Sequence, residues 1–156
     1  MKKALAVLSM VVALAFAGLG FASKYGFYAG YGYDGVFGGQ FYLGDNTRVS
    51  VGVTPFLGLA FGGSLDFILG SVDLAEEQEQ QLQAYYGAGI GGGFITVLGA
   101  GAVYFHGHGL GGVEFGIPDT DLSVFGELGL GPILIFASGG SAFTFGYDFK
   151  LGLLFR

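Results

Sequence analysis

The two histidines are the residues whose spacing most directly suggests chemistry. His106 and His108 are separated by one residue, so in a β-strand both imidazoles lie on the same face, about 7 Å apart. Such a pair can share a metal ion. The chain has no cysteine, so a third ligand would have to be a carboxylate such as Asp148 or Glu127. We favour the simpler interpretation, a polar pair inside or at the rim of a barrel, and predict no metal or other cofactor.

Acyl hydrolysis or transfer is the second chemistry to consider. It requires a nucleophile held against a general base, and the candidates are Ser138 or Ser141 with His106 or His108. No nucleophile motif surrounds either serine, and the Ser-Gly-Gly-Ser composition is typical of a flexible connection. We therefore predict that the protein is not an enzyme, and keep a lipid-modifying enzyme as the less favoured alternative.

Isolated charges form the most informative group. Each lies among glycines and small polar residues, on the face opposite the bulky side chains of its segment. Isolated charges in a narrow lumen are costly to desolvate, so they are expected to pair or to stay hydrated. We interpret them as a plug of salt bridges inside a barrel too narrow to be a channel. A conducting, porin-like pore is the alternative. The predicted lumen charges are Arg48, Asp66, Glu114, Glu127, Asp148 and Lys150.

The elements that position these charges alternate with a period of two residues. In the last segment, residues 142–156, the odd positions are all aromatic or leucine, whereas the even positions include Thr144, Asp148, Lys150 and glycines. A glycine-lined face cannot fill a hydrophobic core. It can line a narrow polar lumen whose outer wall is solvated by lipid. The pattern therefore predicts an inside-out β-barrel.

Turn signals divide the chain into eight predicted strands, an even number as a closed bacterial barrel requires. Compact polar turns follow strands two and six, and the Glu- and Gln-rich segment 70–84 predicts a short periplasmic helical turn. The connections near Asp34, near Pro55, at 95–103 and at 133–141 are expected to face outward. The predicted strands are residues 24–33, 36–43, 48–56, 57–69, 84–93, 104–117, 121–132 and 142–156.

The N-terminus and the composition set the cellular context. Lys2 and Lys3, an apolar run to Leu19 and small residues before Ser23 predict a signal peptide over residues 1–22, leaving a barrel domain of residues 23–156. The formal net charge of −6 excludes a basic nucleic-acid-binding surface. No apolar run beyond the signal is long enough for a transmembrane helix.

The chain resembles the small eight-stranded outer-membrane proteins of the OmpX and OmpA-barrel type. The resemblance rests on the signal peptide, on Tyr85-Tyr86-Gly87-Ala88-Gly89, on the hairpin from Gly112 to Gly129, and on the terminal segment from Lys150 to Arg156. It implies an all-β, closed, eight-stranded antiparallel transmembrane barrel in the cell outer membrane of a Gram-negative bacterium. It also implies contact with outer-membrane lipid, insertion by the barrel-assembly machinery, and a monomer. The predicted function is structural support of the envelope; the alternative is a narrow channel or transporter for a small or apolar solute.

Overall fold

The protein is all-β, with eight antiparallel strands and no helix in the described part of the chain. The computed structural model describes residues 22–55, 59–77, 80–97 and 100–156. The predicted signal peptide lies outside the described residues except for Ala22. The predicted number of strands is confirmed. They are β1 (Lys24–Tyr31), β2 (Phe37–Tyr42), β3 (Thr47–Thr54), β4 (Leu59–Glu77), β5 (Gln80–Val97), β6 (Ala100–Gly116), β7 (Leu122–Ala137) and β8 (Gly140–Phe155).

Each strand pairs with its sequence neighbours, and β1 also pairs with β8, so that the strands form a ring. The ring is staggered. A path along paired residues that leaves β8 at Leu154 returns to β8 at Thr144, ten residues away. This stagger requires the strands to tilt relative to the axis of the ring. The path runs through Gly26, Gln40, Ser50, Ser64, Gly91, His106 and Ile133.

The ring has an apolar exterior and a largely polar interior. Along β8, Phe149, Leu151 and Leu153 are exposed, while Asp148 and Lys150 are buried. Large hydrophobic side chains are similarly exposed on every strand except β3, whose outward valines are half-buried, for example Phe27 on β1 and Leu130 on β7. The period-two alternation of the sequence therefore separates the two faces of the wall as predicted, with the bulky residues outside.

Two predicted connections are shorter in the structure than in the sequence-based assignment. Residues 95–97 and 100–103 extend β5 and β6, and residues 133–137 and 140–141 extend β7 and β8, where we expected outward-facing loops. These segments contain Ile95, Ile133, Ile135 and Phe136, whose side chains favour a pleated strand over a loop. The connection expected near Pro55 includes residues 56–58, which lie outside the described residues.

The predicted helical turn at 70–84 is wrong. Residues 70–77 and 80–84 continue β4 and β5, which remain paired from Gly70↔Tyr86 to Glu77↔Gln80, with register shifts between Ile68 and Gly70 and between Asp73 and Ala75. Helix propensity is worth only tenths of a kcal/mol per residue. The β4–β5 strands are already aligned before residue 70, and continuing their hydrogen-bonded ladder outweighs the preference for a helix. Val72 and Leu74 are exposed in this part of the hairpin. Within the described ranges, no helix is long and apolar enough to cross a membrane.

Candidate functional site

The middle of the ring contains a network of buried charged side chains. All six charged residues predicted to face the lumen have less than 5% of their surface exposed, because they occupy the inward positions of their strands. Groups removed from water at this level must find partners within the ring. The six are Arg48, Asp66, Glu114, Glu127, Asp148 and Lys150.

Arg48 connects two opposite parts of the wall. Its Nε and Nη2 donate to Asp66 Oδ2 on the neighbouring strand β4, at 3.0 and 2.7 Å. Its Nη1 and Nη2 also donate to the two carboxylate oxygens of Glu127 on β7, at 2.6 and 2.8 Å. Tyr85 OH donates to the same carboxylate at 3.0 Å. A planar guanidinium with five donors can satisfy two carboxylates at once, so Arg48 crosses the lumen as a bridge.

Lys150 is the second cation of the network. The β7–β8 register places Glu127 opposite Lys150, but their charged groups are 3.6 Å apart. The ammonium Nζ lies closer to Asp34 Oδ2, at 2.6 Å, and to Asp148 Oδ2, at 3.0 Å. Glu127 therefore belongs mainly to Arg48, and the closest partner of Lys150 is a residue that sequence reasoning missed.

Asp34 reaches the network because the β1–β2 connection folds into the lumen. We expected this connection to face outward; instead Tyr33 and Asp34 are buried. Gly32 and Gly35 on either side adopt φ values of 147° and 102°, which disfavour residues with a Cβ. Tyr28 OH donates to the carbonyl of Asp34 at 3.0 Å, and Tyr104 OH donates to the carbonyl of Tyr33. The turn is thereby held from two sides of the ring.

Inward-facing glycines leave room for this turn. A Cβ on Gly52 of β3 would collide with the carbonyl oxygen of Asp34, and a Cβ on Gly62 of β4 would collide with the carbonyl oxygen of Tyr33. The glycine-lined face predicted from the sequence therefore accommodates a segment of the protein's own backbone.

The two histidines bridge the carboxylates of Asp34 and Asp66. Their Nδ1 atoms are 3.2 Å apart. His106 Nε2 lies 3.5 Å from Asp34 Oδ1, and His108 Nε2 lies 3.1 Å from Asp66 Oδ1. The ring of Tyr33 stacks on His106 with a centroid separation of 4.3 Å. Within the described residues, no group of three or more His, Cys, Asp or Glu side chains is arranged to hold a metal ion.

The central network contains more acidic than basic side chains. Four carboxylates, Asp34, Asp66, Glu127 and Asp148, surround the two permanent cations of the central network. The histidine pair lies between Asp34 and Asp66, two of these carboxylates.

The remaining predicted charge lies nearer the end of the ring that holds both described chain ends. Glu114 Oε1 is 2.8 Å from Arg156 Nη2, and Glu114 Oε2 is 4.0 Å from Lys24 Nζ. Between this group and the central network, an apolar cluster fills the lumen, formed by Tyr28, Tyr42, Phe125 and Leu154. Glu114 is thus part of a separate, partly exposed ion pair.

The structure does not bring the candidate nucleophiles to a base. Ser138 lies in the exposed turn between β7 and β8, and Ser141 is exposed on β8. His106 pairs with Ile133, five residues before Ser138, a separation of about 16 Å along a strand. A serine–histidine catalytic pair is therefore not formed.

Comparisons with protein-family models, with curated proteins and with solved structures give no match to this chain.

A cavity of about 430 Å³ lies on the other side of the inward-folded turn from the apolar cluster. Tyr33 and Tyr104 separate it from the charge network, and Ile133 and Ile135 line it from β7. None of its described lining residues is charged. The ring thus contains two chemically different regions, a charged network in the middle and an apolar cavity beyond it.

Proposed function

We propose that this protein is a structural β-barrel of the bacterial outer membrane, of the OmpX and OmpA-barrel type, that contributes to envelope integrity. Its lumen is closed by its own side chains. It contacts outer-membrane lipid, depends on the barrel-assembly machinery for insertion, and acts as a monomer.

The exterior of the ring supports the membrane location. Side chains such as Leu69, Ile90, Leu130 and Phe145 are each more than 60% exposed. Apolar surface of this extent is unfavourable in water and is well solvated by hydrocarbon. Antiparallel pairing between neighbouring strands, including β1 with β8, satisfies the backbone groups of the paired segments internally, which a lipid environment demands. The predicted signal peptide provides the route of export.

The observation that carries the structural role is the bridge from Arg48 to Asp66 and Glu127. Together with the contacts of Lys150, it joins β3, β4, β7, β8 and the inward-folded turn within one cross-section of the lumen. These side chains are fully or almost fully buried. Passage of an ion through this level would require buried ion pairs to separate, which costs several kcal/mol. The geometry thus favours a plug over the alternative, a narrow channel.

Two measurements test the proposal. The full chain is expressed in a Gram-negative host and followed by membrane fractionation; we expect it in the outer-membrane fraction, and recovery as a soluble periplasmic protein would contradict the location. Refolded protein is then added to a planar lipid bilayer. We expect no steady conductance above that of the protein-free bilayer, and stepwise conductance would overturn the plug.

A further inference from the structure

The cavity beyond the inward-folded turn is lined by residues from both faces of the wall. Tyr104, Ile133 and Ile135 occupy inward positions, whereas Phe145 and Tyr147 lie on the outward face of β8 and are strongly exposed. A cavity enclosed by the lumen alone would be lined by inward residues only. This one therefore extends through the wall to the apolar exterior.

The strand pairing explains where the wall is open. β8 pairs with β1 along Phe149–Phe155, but in the described structure its segment Gly140–Asp148 pairs with β7 alone. β1 ends at Tyr31, opposite Phe149, and the chain then turns into the lumen. The rings of Tyr31 and Tyr147, 5.7 Å apart, stand at the edge of this opening. Access to the cavity is thus lateral, from the side of the ring.

From these observations we infer that the cavity is a binding site for one hydrocarbon chain of a bilayer lipid, an inference that rests on the proposed membrane location. The volume is about three times the ~150 Å³ that holds a single benzene ring. The described lining is aliphatic and aromatic, with hydroxyls but no charge, so it provides no partner for an ionised headgroup. The lateral opening is continuous with the exposed apolar surface at Phe145, so a chain can enter while its headgroup stays outside.

Tryptophan fluorescence tests this inference, because the chain has no tryptophan and each introduced probe is unique. Three single variants are refolded into vesicles whose phospholipids carry bromine atoms on their acyl chains. Ile135→Trp places the probe in the cavity. Leu134→Trp, one residue away, faces outward, and Phe125→Trp lies inside the ring in the apolar cluster, away from the cavity.

We expect brominated lipid to quench Ile135→Trp nearly as strongly as Leu134→Trp, and Phe125→Trp several-fold less. Aqueous iodide should quench the cavity probe weakly. Adding Ala60→Phe, which fills the cavity from β4, should reduce quenching of the cavity probe but not that of Leu134→Trp. Ile133→Trp serves as the cavity probe if Ile135→Trp does not fold.

Two outcomes overturn the lipid site. In the first, iodide but not brominated phospholipid quenches the cavity probe, which means that water fills the cavity. In the second, only an added brominated fatty acid quenches it, which means that a free apolar solute is the ligand. If Leu134→Trp itself is not quenched by brominated lipid, the proposed membrane location fails, and that result is distinguishable from failure of the cavity site alone.

Discussion

The Nδ1 atoms of His106 and His108 face each other at 3.2 Å. Such a contact is favourable only when one nitrogen carries a proton and the other presents a lone pair, because two donors or two lone pairs repel. The two rings are therefore inequivalent, although the sequence places them symmetrically on one strand.

We predict that the two histidines differ in protonation at Nδ1. In refolded protein with ¹⁵N-labelled histidine, one ring should show a protonated Nδ1 and the other an unprotonated Nδ1 in side-chain nitrogen spectra. His106→Phe should leave the Nδ1 of His108 without its partner and change its shift. Identical Nδ1 states in the two rings of the unmodified protein would contradict the contact.

Lys150 is predicted to couple most strongly to Asp34. Lys150→Met removes a buried cation from three carboxylates, and losses of this kind typically cost about 3–5 kcal/mol. Adding Asp34→Asn should recover more of that loss than adding Glu127→Gln, because Asp34 lies 2.6 Å from the ammonium and Glu127 lies 3.6 Å from it. Urea unfolding of the single and double variants in lipid vesicles measures both couplings. Equal coupling energies would count against this assignment.

The inward-folded turn is predicted to depend on the glycines behind it. Gly62→Ala places a methyl group against the carbonyl of Tyr33, so the turn must shift, at a cost of about 1–3 kcal/mol. If the turn closes the lumen, this variant should also gain conductance in a planar bilayer. Gly139→Ala is the control, since a Cβ there meets no atom within 4 Å. A Gly62→Ala protein as stable and as non-conducting as the control would show that the turn tolerates the methyl group.

A charged side chain on the outward face of β8 is predicted to destabilise the protein. Phe149 lies outside, between the inward-facing Asp148 and Lys150. Phe149→Arg near the middle of a bilayer should destabilise the protein by roughly 2–4 kcal/mol. Ser138→Arg, in the exposed turn between β7 and β8, should have little effect. The free energy of unfolding in vesicles checks the difference, and comparable values for the two variants would be inconsistent with lipid around Phe149.

Turn signals were sufficient to predict the strand number, and alternation was sufficient to predict which charged residues of the strands share a face. In β8 the parity of the residues alone places Asp148 and Lys150 inside, because each strand has only two faces. Helix propensity, in contrast, gave the wrong prediction for the Glu- and Gln-rich segment 70–84, where the β4–β5 ladder continues instead.

Asp34 could not be assigned by parity because it does not lie in a strand. Its position depends on the two glycines around it, and Gly32-Tyr33-Asp34-Gly35 is the only sequence signal for that conformation. A turn sequence of this type indicates a reversal of the chain. It does not indicate whether the reversal points into the lumen or away from it, which is decided by Tyr28, Tyr104 and the room left by Gly52 and Gly62.

The contact between Asp34 and Lys150 has a consequence for the order of assembly. The two residues are separated by 116 positions, and Arg48 and Glu127 by 79. Until β8 docks on β1, the carboxylate of Asp34 has no Lys150 beside it. Over the same period the guanidinium of Arg48 has only Asp66 as a partner. In a partly assembled ring, some of these charged groups therefore lack their final partners. Contacts between residues this distant in sequence form slowly. Docking of β8 on β1 completes the charge network and the wall in one event. Folding intermediates that lack the docked β8 should therefore be short-lived unless other proteins stabilise them.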